Sequence, residues 1–290
     1  MRDMSKTVGI VGLGLLGGSL AKALHERSDY RLIGYARRAE VCAAALDDGV
    51  VEAAYTDPES VLTDADIIVF ALPPDTNAAM LKQFRHCLRP GQLITDVSST
   101  KTNFAAAVHE VLPIGVHFVS VHPMAGSEKG GYEMAHSDLF EKCTWIVLTD
   151  SEERGWNADD AAELTEWGRL VGSRIETLPL ADHDDLLAVV SHMPHLMAAV
   201  VATVAGGDEL GDLRLRLAAG GFRDITRVAG GQPSMWREII GGNRLGVLKA
   251  LGAVEAQLGE LRRLLEQGDE EGLEAYLRRA KGIRDSFAAL

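Results

Sequence analysis

The glycine-rich segment Gly12–Gly17, with the sequence GLGLLG, constrains the fold of this chain more than any other feature. It follows the apolar run Val8–Val11 and opens a helical pattern, which is the context of a turn that binds a dinucleotide. Gly12 permits the tight turn, Gly14 lets the backbone approach a pyrophosphate, and Gly17 lets the helix pack on the strand. The alternative is a tight turn without a ligand. The predicted cofactor contacts in this segment are Gly12, Leu13, Gly14, Leu15, Leu16 and Gly17.

Short apolar runs alternate with helical patterns through the first half of the chain, which favours a doubly wound parallel sheet. The predicted strands are Thr7–Val11, Arg31–Tyr35, Ile67–Ala71, Leu93–Asp96, Phe118–Val121 and Trp145–Thr149. The predicted helices among them are Leu16–Arg27, Val41–Asp48, Asn77–Cys87, Lys101–Val111 and Ala158–Val171. Only helical patterns follow Leu178, at Ala181–Ala205, Leu210–Ala218, Pro233–Gly241, Gly242–Gln267 and Asp269–Phe287. We therefore predict an α/β fold, with a Rossmann-type domain over residues 1–178 and an all-helical domain over residues 179–290.

The composition excludes several classes of protein. The chain has 290 residues and a net charge of −13, so its long-range field repels nucleic acids and anionic membranes. Its three cysteines are widely spaced, so we predict neither a disulfide framework nor a metal site. The apolar window Leu186–Ala205 is long enough to span a bilayer, but His192, Pro194 and His195 lie at its middle. We therefore predict a buried core helix, no membrane segment, no signal peptide and a cytoplasmic location.

The end of the second predicted strand bears on the choice of nucleotide. NAD enzymes usually place an acidic residue about 20 residues after the glycine turn, where it holds the ribose 2′-hydroxyl. Here Ala36 occupies that place and Arg37 and Arg38 follow, and guanidinium groups suit a 2′-phosphate. We therefore predict NADP in preference to NAD; the alternative is that the arginines start a solvated helix and NAD binds. Leu72 and Pro73, after a later strand, are predicted to pack near the nicotinamide, or else only to stop that strand.

Three further segments carry residue types that suit acid–base chemistry and carboxylate binding. They are Val121–Glu128 (VHPMAGSE), Ser191–His195 (SHMPH) and Gly220–Arg227 (GGFRDITR), the last followed by Met235–Arg237 (MWR). Taken singly, each histidine is more simply interpreted as a core residue whose hydrogen bonds are satisfied. The arginine and the aspartate of the third segment are more simply interpreted as a structural ion pair. Together, behind a G-x-G-x-x-G turn, these segments closely resemble the prephenate/arogenate (cyclohexadienyl) dehydrogenase family of tyrosine biosynthesis, over nearly the whole chain.

The resemblance implies a homodimer, with intertwined helical domains, that oxidatively decarboxylates prephenate to 4-hydroxyphenylpyruvate or arogenate to tyrosine. It implies that His122 accepts the proton of the ring hydroxyl, that Ser99 orients this hydroxyl and the nicotinamide, and that Arg227 holds the ring carboxylate. The other residues that match the substrate pocket of the family are His192, His195, Glu128, Asp224 and Trp236. The sequence does not choose between prephenate and arogenate, and it favours His195 only slightly over His192 as the residue that meets the substrate.

Two other interpretations stay open on the residues alone. A β-hydroxyacid dehydrogenase or imine reductase shares the plan of a sheet followed by helices. The β-hydroxyacid dehydrogenases resemble one another in using a lysine on the first long helix of the second domain. This sequence has no lysine between Cys143 and Leu248, which counts against that class. A non-catalytic sensor that binds NADP is also permitted by the fold. The clustered histidines and Arg227 do not fit a sensor well.

Overall fold

The computed structural model describes residues 6–126, 129–149 and 154–288. The chain forms two compact units, Met1–Arg244 and Leu245–Leu290. The strands of the first unit are β1 (Thr7–Val11), β2 (Arg31–Tyr35), β3 (Ala53–Tyr55), β4 (Ile67–Phe70), β5 (Leu93–Asp96), β6 (His117–Phe118), β7 (Val121–Pro123), β8 (Thr144–Leu148) and β9 (Arg174–Leu178). Its helices are α1 (Leu15–Arg27), α2 (Ala39–Asp47), α3 (Pro58–Asp64), α4 (Pro74–Phe84), α5 (Thr102–Val111), α6 (Ala158–Leu170), α7 (Leu180–Leu187), α8 (Met193–Gly206), α9 (Gly211–Leu217), α10 (Gly220–Thr226) and α11 (Pro233–Gly242).

The main sheet has six strands in the order β3-β2-β1-β4-β5-β6, and each neighbouring pair is parallel. This is the strand order of a dinucleotide-binding Rossmann fold, so the predicted fold class is confirmed. The strands β1, β4 and β5 are buried along their whole length, and the sequences of β1 and β4 are nearly continuously apolar, as such burial requires. The strand order reverses between β1 and β4, and ligands of such sheets bind outside the carboxyl ends of the strands at that point.

A separate sheet of three strands, β7-β8-β9, corrects one part of the predicted topology. The predicted strand Phe118–Val121 is wrong, because β6 ends at Phe118 in the main sheet and β7 begins at Val121 in the second one. Strand β7 pairs with β8 in the antiparallel sense, and β8 pairs with β9 in the parallel sense. A parallel pair needs a long crossover, usually a helix. The described residues between β7 and β8 contain only a short 3-10 turn, Tyr132–Met134, which suits the antiparallel pairing.

The long apolar helix contains a π-helical turn, Ala188–His192, between α7 and α8. Pro194, two residues after this turn, has no N–H to donate to an earlier carbonyl, so the regular ladder of hydrogen bonds is interrupted here. Within the described ranges, Leu180–Gly206 is the one helix that is long and apolar enough to cross a membrane, but only 28% of its most apolar window is buried. The predicted core helix is therefore wrong for the single chain. Its exposed apolar side chains are Leu186, Val189, Val190, Val200, Val201 and Val204.

The second unit consists of α12 (Arg244–Gln267), from Leu245 onward, and α13 (Glu270–Ala288). Gly268 ends α12 with a φ of +64°, a backbone conformation that glycine adopts without strain. Arg279 of α13 lies 3.5 Å from Glu260 of α12, so the two helices run back alongside each other. The domain boundary at residue 178 stays a prediction.

Candidate active site

The glycine turn leaves an open cradle at the start of α1. Gly12 has a φ of +114°, and its N–H donates to the Tyr35 carbonyl at 3.0 Å. A Cβ on Gly17 would lie 2.1 Å from the Gly12 carbonyl oxygen, so only glycine fits at that crossing. A Cβ on Gly14 would meet nothing within 4 Å, so the space beside this residue is free. Because α1 has neither a capping side chain nor an acidic residue in its first turn, the cradle fits an anionic pyrophosphate.

The segment after β4 lies against the glycine turn. The Leu72 side chain is the nearest atom group that a Cβ on Gly12 would meet, at 2.8 Å, and Pro73 is exposed just before α4. Asn77, buried on α4, holds this segment in place. Its Oδ1 accepts from the Leu72 N–H at 3.1 Å, and its Nδ2 donates to Ser98 Oγ at 3.0 Å. Asn77 therefore joins the segments that follow β4 and β5, a role that was not predicted from the sequence.

The two arginines after β2 are exposed, at the edge of the main sheet where a dinucleotide ribose would lie. Ala36, in the place of the usual acidic residue, is buried. Arg38 directly precedes α2 and its side chain makes no capping hydrogen bond. Its guanidinium lies 4.0 Å from Glu40, a contact too long and too exposed to hold the side chain. Arg37 and Arg38 can therefore turn towards a bound phosphate.

His122 is the second residue of β7 and is buried. Its Nδ1 lies 2.9 Å from Nε2 of His183, and Nδ1 of His183 lies 2.8 Å from Oδ1 of Asp184. Asp184 also accepts from the N–H of Lys101 at 3.0 Å, and from the N–H and hydroxyl of Thr102 at 3.0 and 2.6 Å. These contacts form a continuous hydrogen-bonded series, Asp184–His183–His122, which runs from α7 to β7.

Burial sets the charge of each member of this series. It lowers the pKa of His122 well below the ordinary value, and the nearby His183 and Lys101 lower it further. Burial also lowers the pKa of His183. Burial raises the pKa of Asp184, but hydrogen bonds from His183, Thr102 and Lys101 outweigh this effect and hold the pKa below its ordinary value. At neutral pH the series Asp184–His183–His122 is therefore a carboxylate followed by two neutral imidazoles.

A buried lysine braces the strand of His122. Lys101 is 1% exposed, and its Nζ donates to Asp96 Oδ2 at 2.8 Å and to the Val121 carbonyl at 2.7 Å. The Ser120 hydroxyl donates to the other oxygen of Asp96 at 2.5 Å. The end of β5 is thus tied to the residues on the N-terminal side of His122. No role was predicted for Lys101 or Asp96, because nothing in their local sequence indicates that a polar side chain is buried.

The histidines of the long apolar helix form a second group of contacts. Asn243 Nδ2 donates to the Asp184 carbonyl at 2.5 Å and lies 3.1 Å from Nδ1 of His192. Since a carbonyl only accepts, this atom is an NH2 group, so His192 Nδ1 accepts and its proton is on Nε2. Burial lowers the pKa of His192 to about 4. His195 stacks on Trp236 with ring centroids 3.6 Å apart, and the His192 ring lies edge-on to the same indole at 6.5 Å.

The structure brings some of the predicted substrate residues together and leaves others apart. His122, His192, His195 and Trp236 lie within or beside the contact network of Asp184. Ser99 is half-buried in the segment after β5. Two predicted residues, Asp224 and Arg227, are exposed. A third, Glu128, lies outside the described residues. Val228, the residue after Arg227, makes a backbone hydrogen bond to His195 that raises the pKa of this histidine against the larger effect of burial.

A Rossmann-type sheet, an open pyrophosphate cradle and a buried neutral histidine define a pyridine-nucleotide-dependent dehydrogenase. Two family models match the chain: the nucleotide-binding domain of prephenate dehydrogenase over residues 20–175, and its dimerization domain over residues 179–279. The chain belongs to the prephenate dehydrogenase family.

Individual relatives agree with this assignment. The prephenate dehydrogenase of Bacillus subtilis is 35% identical over 99% of this chain and 77% of the relative. A crystal structure of prephenate dehydrogenase from A. aeolicus, in complex with hydroxyphenyl propionate and NAD+, superposes with a TM-score of 0.88 at 28% identity, over 99% of this chain and all of that one. The arogenate dehydrogenase of Synechocystis superposes with a TM-score of 0.84 at 30% identity, over 97% and 99% of the two chains.

Proposed function

We propose that the chain oxidatively decarboxylates prephenate, or arogenate in its place, with transfer of a hydride to NAD(P)+. The products are 4-hydroxyphenylpyruvate or tyrosine, together with CO2. The observation that supports this most strongly is the buried, neutral His122 in a Rossmann-type unit of the prephenate dehydrogenase family. A neutral imidazole in a water-poor site can accept a proton from a substrate hydroxyl without first losing one of its own.

The proposed reaction begins with a hydrogen bond from the ring hydroxyl to Nε2 of His122, with Ser99 orienting that hydroxyl. A bound nicotinamide would supply the acceptor for the hydride on the carbon that carries the hydroxyl. His122 takes the hydroxyl proton as the carbonyl forms. The ring carboxylate then leaves as CO2, and its bonding electrons aromatise the ring. His122 returns the proton to the phenolate oxygen, so the residue ends the cycle neutral.

The remaining residues are proposed to bind and orient the substrate rather than to react. Arg227 would hold the ring carboxylate by a bidentate contact. His192 presents an N–H at Nε2, so it is suited to donate to a substrate oxygen, while His195 stacked on Trp236 forms a flat wall. Asp224 and Glu128 are proposed to shape and gate the pocket. Because aromatisation makes loss of CO2 strongly favourable, the protein mainly has to position two ligands and accept one proton.

The test of this function is a steady-state assay on the purified protein. Prephenate and arogenate are each offered with NAD+ and with NADP+, and the absorbance of the reduced nicotinamide is followed. Turnover with at least one of the four pairs supports the proposal. Binding of a nucleotide without turnover of either substrate would instead favour a nucleotide sensor, and turnover of a β-hydroxyacid alone would favour that dehydrogenase class.

Arg227→Ala is expected to raise KM for the substrate by about 10- to 100-fold, because the variant loses charge-assisted hydrogen bonds to a carboxylate. The kcat should change little, since Arg227 would contact the substrate equally before and during hydride transfer. Arg223→Ala, an exposed arginine one turn earlier on α10, is the control. An unchanged KM for Arg227→Ala would remove Arg227 from the substrate site.

The preference for NADP over NAD is part of the same proposal, supported by Arg37 and Arg38 and by the missing acidic residue. The double variant Arg37→Ala/Arg38→Ala should weaken NADP+ binding about tenfold or more, because a phosphate loses its charged partners. Binding of NAD+ should stay within about twofold, since NAD+ lacks that phosphate. Quenching of tryptophan fluorescence, or titration calorimetry, gives both dissociation constants. Tighter binding of NAD+ than of NADP+ by the unaltered protein would refute the preference.

We also propose that the protein is a homodimer through its helical domain and is located in the cytoplasm. The match to a dimerization domain over residues 179–279 supports the dimer, as do the exposed valines of α8, of which Val204 is 71% exposed. Apolar side chains grouped in this way favour burial against another copy of the chain. We propose no contact with nucleic acid and no membrane segment.

A further inference from the structure

We propose that His183 and Asp184 are positioning residues for the reaction, which hold His122 in the one tautomer that can act as a base. The proposal rests on the proposed function only for the role of His122, because the hydrogen-bond pattern itself is a property of the free protein. His183 lies on α7 at the start of the helical segment, and no local motif marks it as functional.

The tautomers follow from which atoms can donate. A carboxylate only accepts, so the proton between Asp184 and His183 is on Nδ1 of His183. Because His183 is neutral, its Nε2 carries no proton and must accept the contact from His122 at 2.9 Å. The proton of neutral His122 is therefore on Nδ1, and the lone pair of the ring is on Nε2. The same reasoning places His192 in the opposite state, with its proton on Nε2.

Burial is what makes this assignment strict. His183 is 0% exposed and His122 is 6% exposed, so water cannot readily replace either partner. The charged and titratable groups that act on the pair are Asp184, Asp96, Lys101 and His192. Asp184 favours a positive charge on both rings, whereas Lys101 opposes it. When His122 gains a proton at Nε2, the carboxylate of Asp184 can stabilise the imidazolium through His183, while the protons on both Nδ1 atoms stay in place.

Two substitutions of His183 separate positioning from packing. In His183→Gln the amide reaches the position of Nε2, so its oxygen can still accept from His122. In His183→Asn the amide reaches only the position of Nδ1, so it can still donate to Asp184 but offers nothing to His122. We expect kcat to fall about tenfold or less in His183→Gln and about 100-fold or more in His183→Asn, with KM changed less than kcat. If His183 served only in packing, there would be no reason for His183→Gln to keep a higher kcat than His183→Asn.

Asp184→Asn tests the other end of the series. The amide can keep its oxygen at Oδ2, towards Thr102 and 3.3 Å from the Lys101 N–H, and turn its NH2 group to His183. His183 then accepts at Nδ1 and carries its proton on Nε2. His122 is in turn forced to accept at Nδ1 and to carry its proton on Nε2, where it can no longer act as a base. The kcat should fall about 100-fold or more, as expected when a base is held in the wrong tautomer.

A readout without substrate keeps the proposal separate from the proposed function. Nitrogen-15 NMR of the ligand-free protein, labelled at histidine, distinguishes protonated from unprotonated ring nitrogens. We expect His122 to show a protonated Nδ1 and an unprotonated Nε2, and Asp184→Asn to reverse the two. The signals of His122 are identified by their absence in His122→Asn. A protonated Nε2 in the unaltered protein would overturn the proposal even if the enzyme turns over prephenate.

The controls use a histidine with a similar partner elsewhere in the fold. Nδ1 of His117, on β6, lies 2.6 Å from a carboxylate oxygen of Asp160, just as Nδ1 of His183 contacts the carboxylate of Asp184. His117 has no role in the proposed reaction. His117→Gln and His117→Asn should both keep kcat within about twofold. Thermal unfolding and the Kd for NAD(P)+ show which His183 variants are folded. Equal kcat losses in folded His183→Gln and His183→Asn would reduce His183 to a packing residue, even though the unaltered protein is active.

Discussion

His122→Asn is expected to lower kcat about 10³-fold while leaving the Kd for NAD(P)+ within about twofold, because the variant loses only the proton acceptor. The asparagine amide can occupy the position of Nδ1 and still donate to His183, so the packing around β7 is kept. It has no atom at the position of Nε2, which is where the proposed base acts. Stopped-flow measurement of nicotinamide reduction under saturating conditions gives the rate of the chemical steps.

The unaltered protein should also show a specific dependence on pH. Burial lowers the pKa of His122, as do His183, Lys101 and His192, while Asp184 raises it. His122 accepts a proton only when neutral, so kcat/KM should fall on the acid side with an apparent pKa below the ordinary histidine value of about 6.5. His136→Asn, an exposed histidine paired with Asp138, is the control for both measurements. Full turnover by His122→Asn would refute the mechanism.

Two alanine substitutions in the glycine turn should have opposite effects. In Gly17→Ala the new methyl group would lie 2.1 Å from the Gly12 carbonyl, so the turn cannot form without moving the strand or the helix. The expected cost is about 3 kcal/mol or more, which lowers Tm by roughly 10 °C in a unit of this size. In Gly14→Ala the methyl group meets no protein atom within 4 Å, and the backbone φ of −98° suits any residue.

Gly14→Ala should therefore keep its Tm within about 2 °C of the unaltered protein and still bind NAD(P)+ about tenfold or more weakly, because the methyl group fills space that a pyrophosphate needs. Differential scanning calorimetry and nucleotide titration measure the two effects. Gly259→Ala, at an open position on α12, is the control. It should leave NAD(P)+ binding unchanged, and it should change the stability only by the small helix preference for alanine. If Gly14→Ala bound NAD(P)+ as the unaltered protein does, the pyrophosphate would lie elsewhere.

The fold class could be predicted because its signals are local. The glycine turn and the buried strands β1, β2 and β5 have sequence patterns that end where the strands end, so their predicted bounds agree with the structure. The second sheet could not be predicted in the same way. Its strands β7, β8 and β9 are far apart in sequence, and which edge each strand pairs with depends on packing rather than on the pattern of any one segment.

The candidate site shows a similar division. His122, His192 and His195 stand in segments that resemble a known family, and a histidine in an apolar run is conspicuous. His183 lies among acidic neighbours in the sequence LADHDD, and Asn243 follows two glycines in the sequence GGNRL. Both sequences resemble ordinary exposed helix ends. Both side chains are nevertheless buried and make hydrogen bonds with the family histidines. A single sequence does not reveal that a polar residue is buried, because burial depends on the elements that cover it.

The π-helical turn at Ala188–His192 also determines which way the two ends of the long helix face. A π turn contains about one residue more than an α turn, which corresponds to a rotation of about 100° at 3.6 residues per turn. The half that carries His183 and the half that carries His195 are therefore out of phase by that angle. Within one helix, the first half can direct its polar residues at the strand of His122, while the second half turns its valines outward.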